Sequence, residues 1–465
     1  MEELIEKFNS AGQGHVFSDW GSLSESEQET LGKDAGLIDL DLVSSLYQYF
    51  VSGHEPEDSK DFSPFPKILN LASQSGEYKD LLYNEGLEII RKGQAAVLTF
   101  AGGQGTRLGV SYPKGMYDIS LISHKTLLQL FAERLVSLQR LSKNSPPIPW
   151  LIMVNEETVD LMTNFFKENC YFSLDPSQLF IFPQAMLPAL ELDGKIILSE
   201  KHKISMSPNG NGGVYEGLVN SGGLRWLSDK GVKFLHICGI DNVLVKICDP
   251  IFLGYANNEK AEVTTKVVKK IDYKESMGVL GLRGGKQGII EYSELSEEMA
   301  KLQDSEGKLV YFGGNILNHV FSISFLKRIT GEVQQLRARY HIAKKKVSLV
   351  KQGQKIVPTQ PNAVKFELFY FDVLSMAAKS AAIEVNRNEE FAPVKNASGP
   401  DSPESARRSV SDLHLSWVKR AGATIANPQS SQDCVCEISP LVSYSGENLD
   451  FLYGKKINLP FYLFY

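Results

Sequence analysis

At 465 residues the chain exceeds what one compact core usually organises, so two or three domains are expected, although a large central α/β unit could take most of the length. With 43% hydrophobic and 22% charged residues the composition is that of a globular chain and argues against disorder or a coiled coil. A net charge of -6 leaves no basic excess to neutralise a phosphate polymer, so nucleic acid and membrane surfaces are not expected partners and any cationic site must be local.

Residues 1 to about 90 read as helical. "SESEQETLGKDAG" opens with Ser-x-x-Glu capping candidates, and "LIDLDLVSSLYQYFV" spaces its apolar residues at helical intervals. The first residues, "MEELIEKFNSAGQGHVF", carry acids and no apolar signal region, and no run approaches the ~18 apolar residues of a membrane span. The five cysteines, at 170, 238, 248, 434 and 436, show no C-x-x-C spacing, so a reducing, cytoplasmic setting is expected. The lone sequon at Asn396 is then incidental.

From about 95 the pattern changes to short apolar runs alternating with helical stretches: "AAVLTF", "PWLIMV", "LFIF", "KIIL" and "KFLHICGI". That alternation predicts βα units and a mostly parallel, buried sheet. Between the first two runs, 126–141 reads as an amphipathic helix with Leu127, Leu130, Phe131, Leu135 and Leu138 near one face. Strands come closer together over 264–317, which suggests antiparallel hairpins appended to the main sheet. "KNASGPDSPESARRS" reads as a loop or linker before a last helix and a small strand-containing tail.

The stretch "VLTFAGGQGTRLGVSYPKGMYDI" runs a buried strand into five glycines between Gly102 and Gly115, interrupted by Arg107 and Lys114. It is neither a Walker A loop nor a G-x-G-x-x-G dinucleotide motif. Glycines after a strand let backbone N–H groups approach an anion without Cβ interference, while arginine and lysine add charge. Phosphate binding is the chemical reading and a structural turn the plain one. "FLHICGIDN" ends an apolar strand in Asp241, where a carboxylate either caps a turn or suits Mg2+ shared with phosphates. The eight histidines show no ligand spacing for a metal.

These residues carry a resemblance. "LTFAGGQGTRLGVSYPKGMYDISL" is similar to the G-G-x-G-T-R-x-G and Y-P-K-G-M signature of the eukaryotic UDP-N-acetylhexosamine pyrophosphorylases, within the wider uridylyltransferase family that includes UDP-glucose pyrophosphorylase. "FPQAMLPAL", "DGKIIL", "KISMSPNGNGGVY", "GIDNVLVKICDPIFLGY", "GIIEYSEL", "FGGNILNHVF", "KFELFYFDVL", "FAPVKNA" and "CEISPLVSYSGENL" follow in family order, from about 95 to 450.

The resemblance implies an α/β fold: a Rossmann-like nucleotide-diphospho-sugar transferase domain with a mostly parallel sheet, expected over 91–390, a helical region over 1–90 and a small C-terminal domain over 391–465. It implies UTP and N-acetylglucosamine 1-phosphate as substrates, UDP-N-acetylglucosamine and pyrophosphate as products, Mg2+ as cofactor, and a monomer or weak homodimer. Arg107, Lys114 and Lys395 would be catalytic. Gly102 and Gly103 would approach the nucleotide, and Gln184, Asn211, Gly212 and Gly213 would read uracil through amide groups. Gly278, Glu291 and Asn315 would line the sugar pocket, Asp241 would hold the metal, and Asp372 is a weaker second ligand. "NGNGG" resembles the N-acetylhexosamine branch rather than the glucose branch, yet preference for glucose 1-phosphate, broad specificity and a non-catalytic UDP-sugar sensor stay open. A sugar 1-phosphate, with a second pKa near ~6, is anionic at neutral pH and needs no general base.

Overall fold

The apolar run at 95–100 becomes an inner strand of the main sheet in the computed structural model of the protein, which describes residues 1–53, 61–103, 105–143, 145–332, 339–351, 353–426 and 436–464. Gln104 of the glycine loop and Cys434 lie outside the described residues. The chain divides into two units, each assembled from three segments. Met1–Asp61, Gln184–Gly217 and Arg328–Val373 form the first, and Phe62–Pro183, Leu218–Lys327 and Leu374–Tyr465 the second. The boundaries expected near 90 and 390 both fall inside the second unit.

The second unit is built on an eleven-stranded sheet. Its strands are β1 (Phe62–Pro64), β2 (Leu69–Asn70), β3 (Ala95–Phe100), β4 (Trp150–Val154), β5 (Leu179–Pro183), β6 (Phe234–Gly239), β7 (Val263–Lys269), β8 (Val279–Arg283), β9 (Lys286–Ile290), β10 (Gly313–Ser322) and β11 (Ser380–Val385). The order along the sheet is β2-β11-β7-β10-β6-β3-β4-β5, with the β8-β9 hairpin and β1 attached beside β10. Every neighbouring pair along that order is parallel except those made by β10, which runs antiparallel to both β6 and β7. Two strands expected in appended hairpins, β7 and β10, are thus inner members of the sheet. Only β8 and β9 form the expected hairpin.

Helices cover the sheet. Leu127–Leu141 is the expected helix; it starts at a Thr126 N-cap and is buried on nearly every side, including Glu133 and Arg134, so it packs in the core. Its apolar spacing was too dense for one stripe. Helices Gly76–Arg91 and Pro250–Glu259 cross in close contact: a Cβ on Gly86 would lie 1.9 Å from Pro250 O, and one on Gly254 2.0 Å from Leu82 O. The segment expected as a linker before the last helix already contains its start, because Ser402 forms a capping box ahead of Pro403 and the helix runs Pro403–Arg420.

The first unit carries the N-terminal helices that the sequence announces. Glu25–Gly36 begins with a Ser24–Glu27 capping box, and Leu40–Val51 with Asp39 accepting from Leu42 N at 2.9 Å. A small antiparallel sheet joins Leu190–Glu191, His341–Lys345 and Ala363–Glu367, and Ala189, Ile197, Val347, Leu349 and Ala363 form a local core. No helix among the described residues is long and apolar enough to cross a membrane.

Candidate active site

β3 lies between β6 and β4, parallel to both, and its first five residues are buried. The chain leaving it folds back on itself at the sheet's C-terminal rim. Lys114 N donates to Gly103 O at 3.1 Å, Gly105 N to Tyr112 O at 3.2 Å and Val110 N to Gly105 O at 3.2 Å. Gly105 is required by this packing, since a Cβ there would meet Val110 Cγ2 at 2.2 Å, and Gly109 adopts φ +76°. A Cβ on Gly102 would lie 2.9 Å from Asn155 Oδ1, whereas Gly103 faces open space. Arg107 is exposed and Lys114 half-buried, and among the described residues neither side chain has an ion pair or hydrogen bond. Among the described residues the loop therefore presents two uncompensated cations, which is what a polyphosphate requires.

Asp241 follows the neighbouring strand. Gly239 pairs with Phe100, and Ile240 N reaches Phe100 O at 3.1 Å, so the acid and the glycine loop share one rim. The Asp241 carboxylate has no hydrogen-bond or ion-pair partner among the described residues, and it occupies space that only a glycine at 239 leaves: a Cβ there would be 2.7 Å from Asp241 Oδ1. No group of three or more histidine, cysteine, aspartate or glutamate side chains among the described residues could form a complete metal cage. One available carboxylate fits Mg2+, which takes few protein ligands and shares substrate phosphates.

Lys395 is tied to the same place through the main chain. Val394 N donates to Asp241 O at 2.9 Å, Val243 N to Ala392 O at 3.1 Å, and Asn242 and Pro393 form an antiparallel bridge. The Lys395 ammonium stands 4.0 Å from Asp401 Oδ2, with the two side chains 44% and 43% exposed. Such a contact is weak and easily exchanged.

Gly278, Glu291 and Asn315 converge as well. Asn315 N donates to Gly278 O at 2.8 Å, and a Cβ on Gly278 would lie 2.9 Å from Glu291 Oε1. Asn315 borders a shift in the β7–β10 register, two residues before Leu317 at φ +51°, whose N–H donates to Asn315 Oδ1 at 3.2 Å.

In the first unit, Gln184, Asn211, Gly212 and Gly213 form a second cluster around a tight loop. The Gln184 side-chain amide donates to Gly210 O, and Asn211 Oδ1 accepts from Tyr370 N at 2.9 Å. Gly212 N donates to Leu368 O at 2.7 Å and Gly213 N to Gly210 O at 3.1 Å, so these two N–H groups hold the loop. The glycines serve close packing: a Cβ on Gly213 would be 1.8 Å from Asn209 Oδ1, and one on Gly212 2.6 Å from Leu368 O.

Asp372 lies in this unit as well. Its Oδ2 accepts from Phe369 N at 2.7 Å and lies 3.0 Å from His341 Nε2, which clamps the 369–372 turn. Sequence reading missed the neighbouring aromatics. Phe369 and Phe371 stack with centroids 5.3 Å apart, a pattern legible only as alternation in "FYF". It also missed Asn242, whose side chain is buried next to the half-buried Asp241.

A glycine loop carrying Arg107 and Lys114 and an acid at the C-terminal rim of a mostly parallel sheet, with Gly278, Glu291 and Asn315 brought together beside it, points to a nucleotide-sugar-handling α/β protein of the transferase class. The particular family is explicit: the chain belongs to the UTP–glucose-1-phosphate uridylyltransferase family, whose model matches residues 60–438. It is 37% identical over 476 residues to UDP-N-acetylglucosamine pyrophosphorylase of Saccharomyces cerevisiae, covering 98% of each chain. It is 38% identical over 491 residues to UDP-N-acetylhexosamine pyrophosphorylase-like protein 1 of Homo sapiens, covering 99% of this chain and 97% of that one. The crystal structure of the uridine diphosphate N-acetylglucosamine pyrophosphorylase from Trypanosoma brucei in complex with inhibitor superposes with a TM-score of 0.81 at 26% identity, covering 98% and 97% of the two chains.

Proposed function

We propose that the protein transfers the uridylyl group of UTP to N-acetylglucosamine 1-phosphate, forming UDP-N-acetylglucosamine and pyrophosphate. One observation carries this reading: Asp241, Lys395 and the Arg107–Lys114 loop stand at one rim, on adjacent parallel strands and a segment paired to one of them. In-line attack by an anionic sugar phosphate on the α-phosphorus needs positioning and charge neutralisation, not a proton acceptor.

Arg107 and Lys114 hold the triphosphate and stabilise the departing pyrophosphate. Lys395 exchanges its loose contact with Asp401 for the phosphate of the incoming sugar. Asp241 would hold Mg2+, which when bound would supply charge neutralisation for the phosphates. Glu291 and Asn315 are the polar groups for the sugar hydroxyls or the acetamide, and Gln184 beside the 209–213 loop carries the recognition of uracil that the family resemblance assigns. A cytoplasmic monomer or weak homodimer is consistent with this role.

The test is pyrophosphate release by the purified protein with UTP and Mg2+ and, in parallel, the 1-phosphates of N-acetylglucosamine, N-acetylgalactosamine and glucose. Preference for N-acetylglucosamine 1-phosphate is expected. Preference for glucose 1-phosphate overturns the substrate reading, and absence of turnover with all three alongside UDP-sugar binding makes the protein a sensor.

A further inference from the structure

Three charged side chains are buried behind the rim of the second unit, with a fourth at their edge. Lys266, in the middle of β7, is 0% exposed, and its ammonium lies 2.6 Å from Asp249 Oδ2 and 2.6 Å from Glu390 Oε2. Lys246, half-buried, reaches the other Glu390 oxygen at 3.3 Å. Burial alone would pull the Lys266 ammonium toward neutrality, but Asp249 and Glu390 outweigh it and its pKa is raised. Buried ion pairs of this kind are poor sources of stability, because desolvation consumes most of the attraction and apolar replacements often do as well. Their use here must be sought in what they hold still.

Glu390 is where the network meets the site. Its carbonyl accepts from Asn242 Nδ2 at 2.7 Å, and Asn242 Oδ1 accepts from Ala392 N at 2.9 Å. One buried amide therefore grips the main chain at 390 and 392, while the backbone on either side, at Asp241 and Val243, pairs with Val394 and Ala392. Asp249 in turn caps the Pro250–Glu259 helix through Ile251 N at 3.1 Å. The path from an inner strand to the rim is continuous: Lys266, Glu390, Asn242, then Asp241 on one side and Lys395 on the other.

We infer that Lys266, Glu390 and Asn242 are positioning residues for the sugar-phosphate lysine, fixing Lys395 relative to Asp241 so that the incoming phosphate is held in line. The inference rests on the role proposed above for Lys395. A network that served only the fold would act on the whole protein and be blind to whether Lys395 is present.

A double-mutant cycle separates these cases. The paired variant Lys266→Met with Glu390→Gln removes one charge of each sign at nearly constant volume. It is expected to lower kcat/KM for the sugar 1-phosphate by about 10-fold or more while KM for UTP changes by less than about 3-fold. In a Lys395→Ala background the same pair of changes is expected to cost less than about 3-fold, because the group it positions is gone. Equal losses in both backgrounds overturn the inference and leave the Lys395 role intact. If Lys395→Ala alone keeps wild-type activity, the reading of Lys395 itself fails. Glu390→Gln alone, which keeps the fold's volume and one hydrogen-bonding oxygen, gives the same cycle should the paired variant not fold, with the same two outcomes deciding.

Discussion

Replacing Lys114 by methionine removes a charge and keeps most of the side-chain volume, which makes it the cleanest probe of the glycine loop. Two unit charges about 4 Å apart attract by about 4 kcal/mol at an effective dielectric of about 20. If that attraction is expressed fully on the charge developing as pyrophosphate leaves, the loss is about 10^3 in rate, and removal of a preorganised contact of this type costs ~10^2 to 10^3. Stability should behave differently. Lys114 has no ion-pair partner among the described residues, so its removal strands no carboxylate, and a change within about 0.5 kcal/mol is expected. The assay is initial-rate pyrophosphate release at saturating UTP and sugar phosphate, with thermal melting of the same preparations. A kcat within about twofold of wild type, with unchanged melting, would refute the reasoning, since an uncompensated lysine that contributes to neither rate nor stability has no place in the mechanism.

Asp241→Asn should raise the Mg2+ concentration for half-maximal rate by about 10-fold or more, whereas Asp372→Asn, which only loosens the clamp on Phe369 and His341, should leave that concentration within about threefold. The reverse pattern in a metal titration would exchange their roles. Gly213→Ala drives a Cβ into Asn209 and is expected to cost about 1–3 kcal/mol, read as a lower urea midpoint; unchanged unfolding would show that the loop is not packed as described. The buried imidazoles of His236, His319 and His414 are each lowered by burial from an ordinary 6.5 to about 3. The unfolded chain therefore takes up protons that the folded one refuses: stability is complete above pH 6.5 and falls as the pH drops toward 3, by about 2 kcal/mol per histidine at pH 5. Urea melts that superimpose at pH 7 and pH 5 would contradict this.

Features set by local rules were legible in the sequence. The Ser24 capping box, the helix expected at 126–141, the strand at 95–100 and the glycine loop each follow from a few consecutive residues, and each is where the pattern puts it. What depends on distant partners was not. The strand at 313–322 is apolar whether it pairs in an appended hairpin or between β6 and β7, and nothing within it states that both neighbours run the other way. Division into two units, each drawn from three separate segments, is likewise a property of contacts and not of any boundary composition. "NGNGG" announced a tight turn, but not its partner, because Leu368, which takes the Gly212 N–H, lies far along the chain.

Charge type alone cannot identify a functional residue here, for a related reason. Lys114 and Lys266 are both lysines in or next to strands of the same sheet, and composition treats them alike. The fold treats them oppositely: Lys266 is enclosed with two carboxylates at 2.6 Å, while Lys114 is half-buried with none among the described residues. An enclosed, matched charge can orient neighbouring main chain but has no field to offer a substrate, because its partners already neutralise it. An unmatched charge at the rim offers its full field to whatever binds, and suffers only partial desolvation while the rim stays wet. Asp241 and Arg107 belong with Lys114 by this criterion, and Asp249 and Glu390 with Lys266. The chemistry of phosphoryl transfer, which asks for neutralised oxygens and a fixed line of attack, uses both kinds: the unmatched charges meet the phosphates, and the matched ones hold the main chain that presents them.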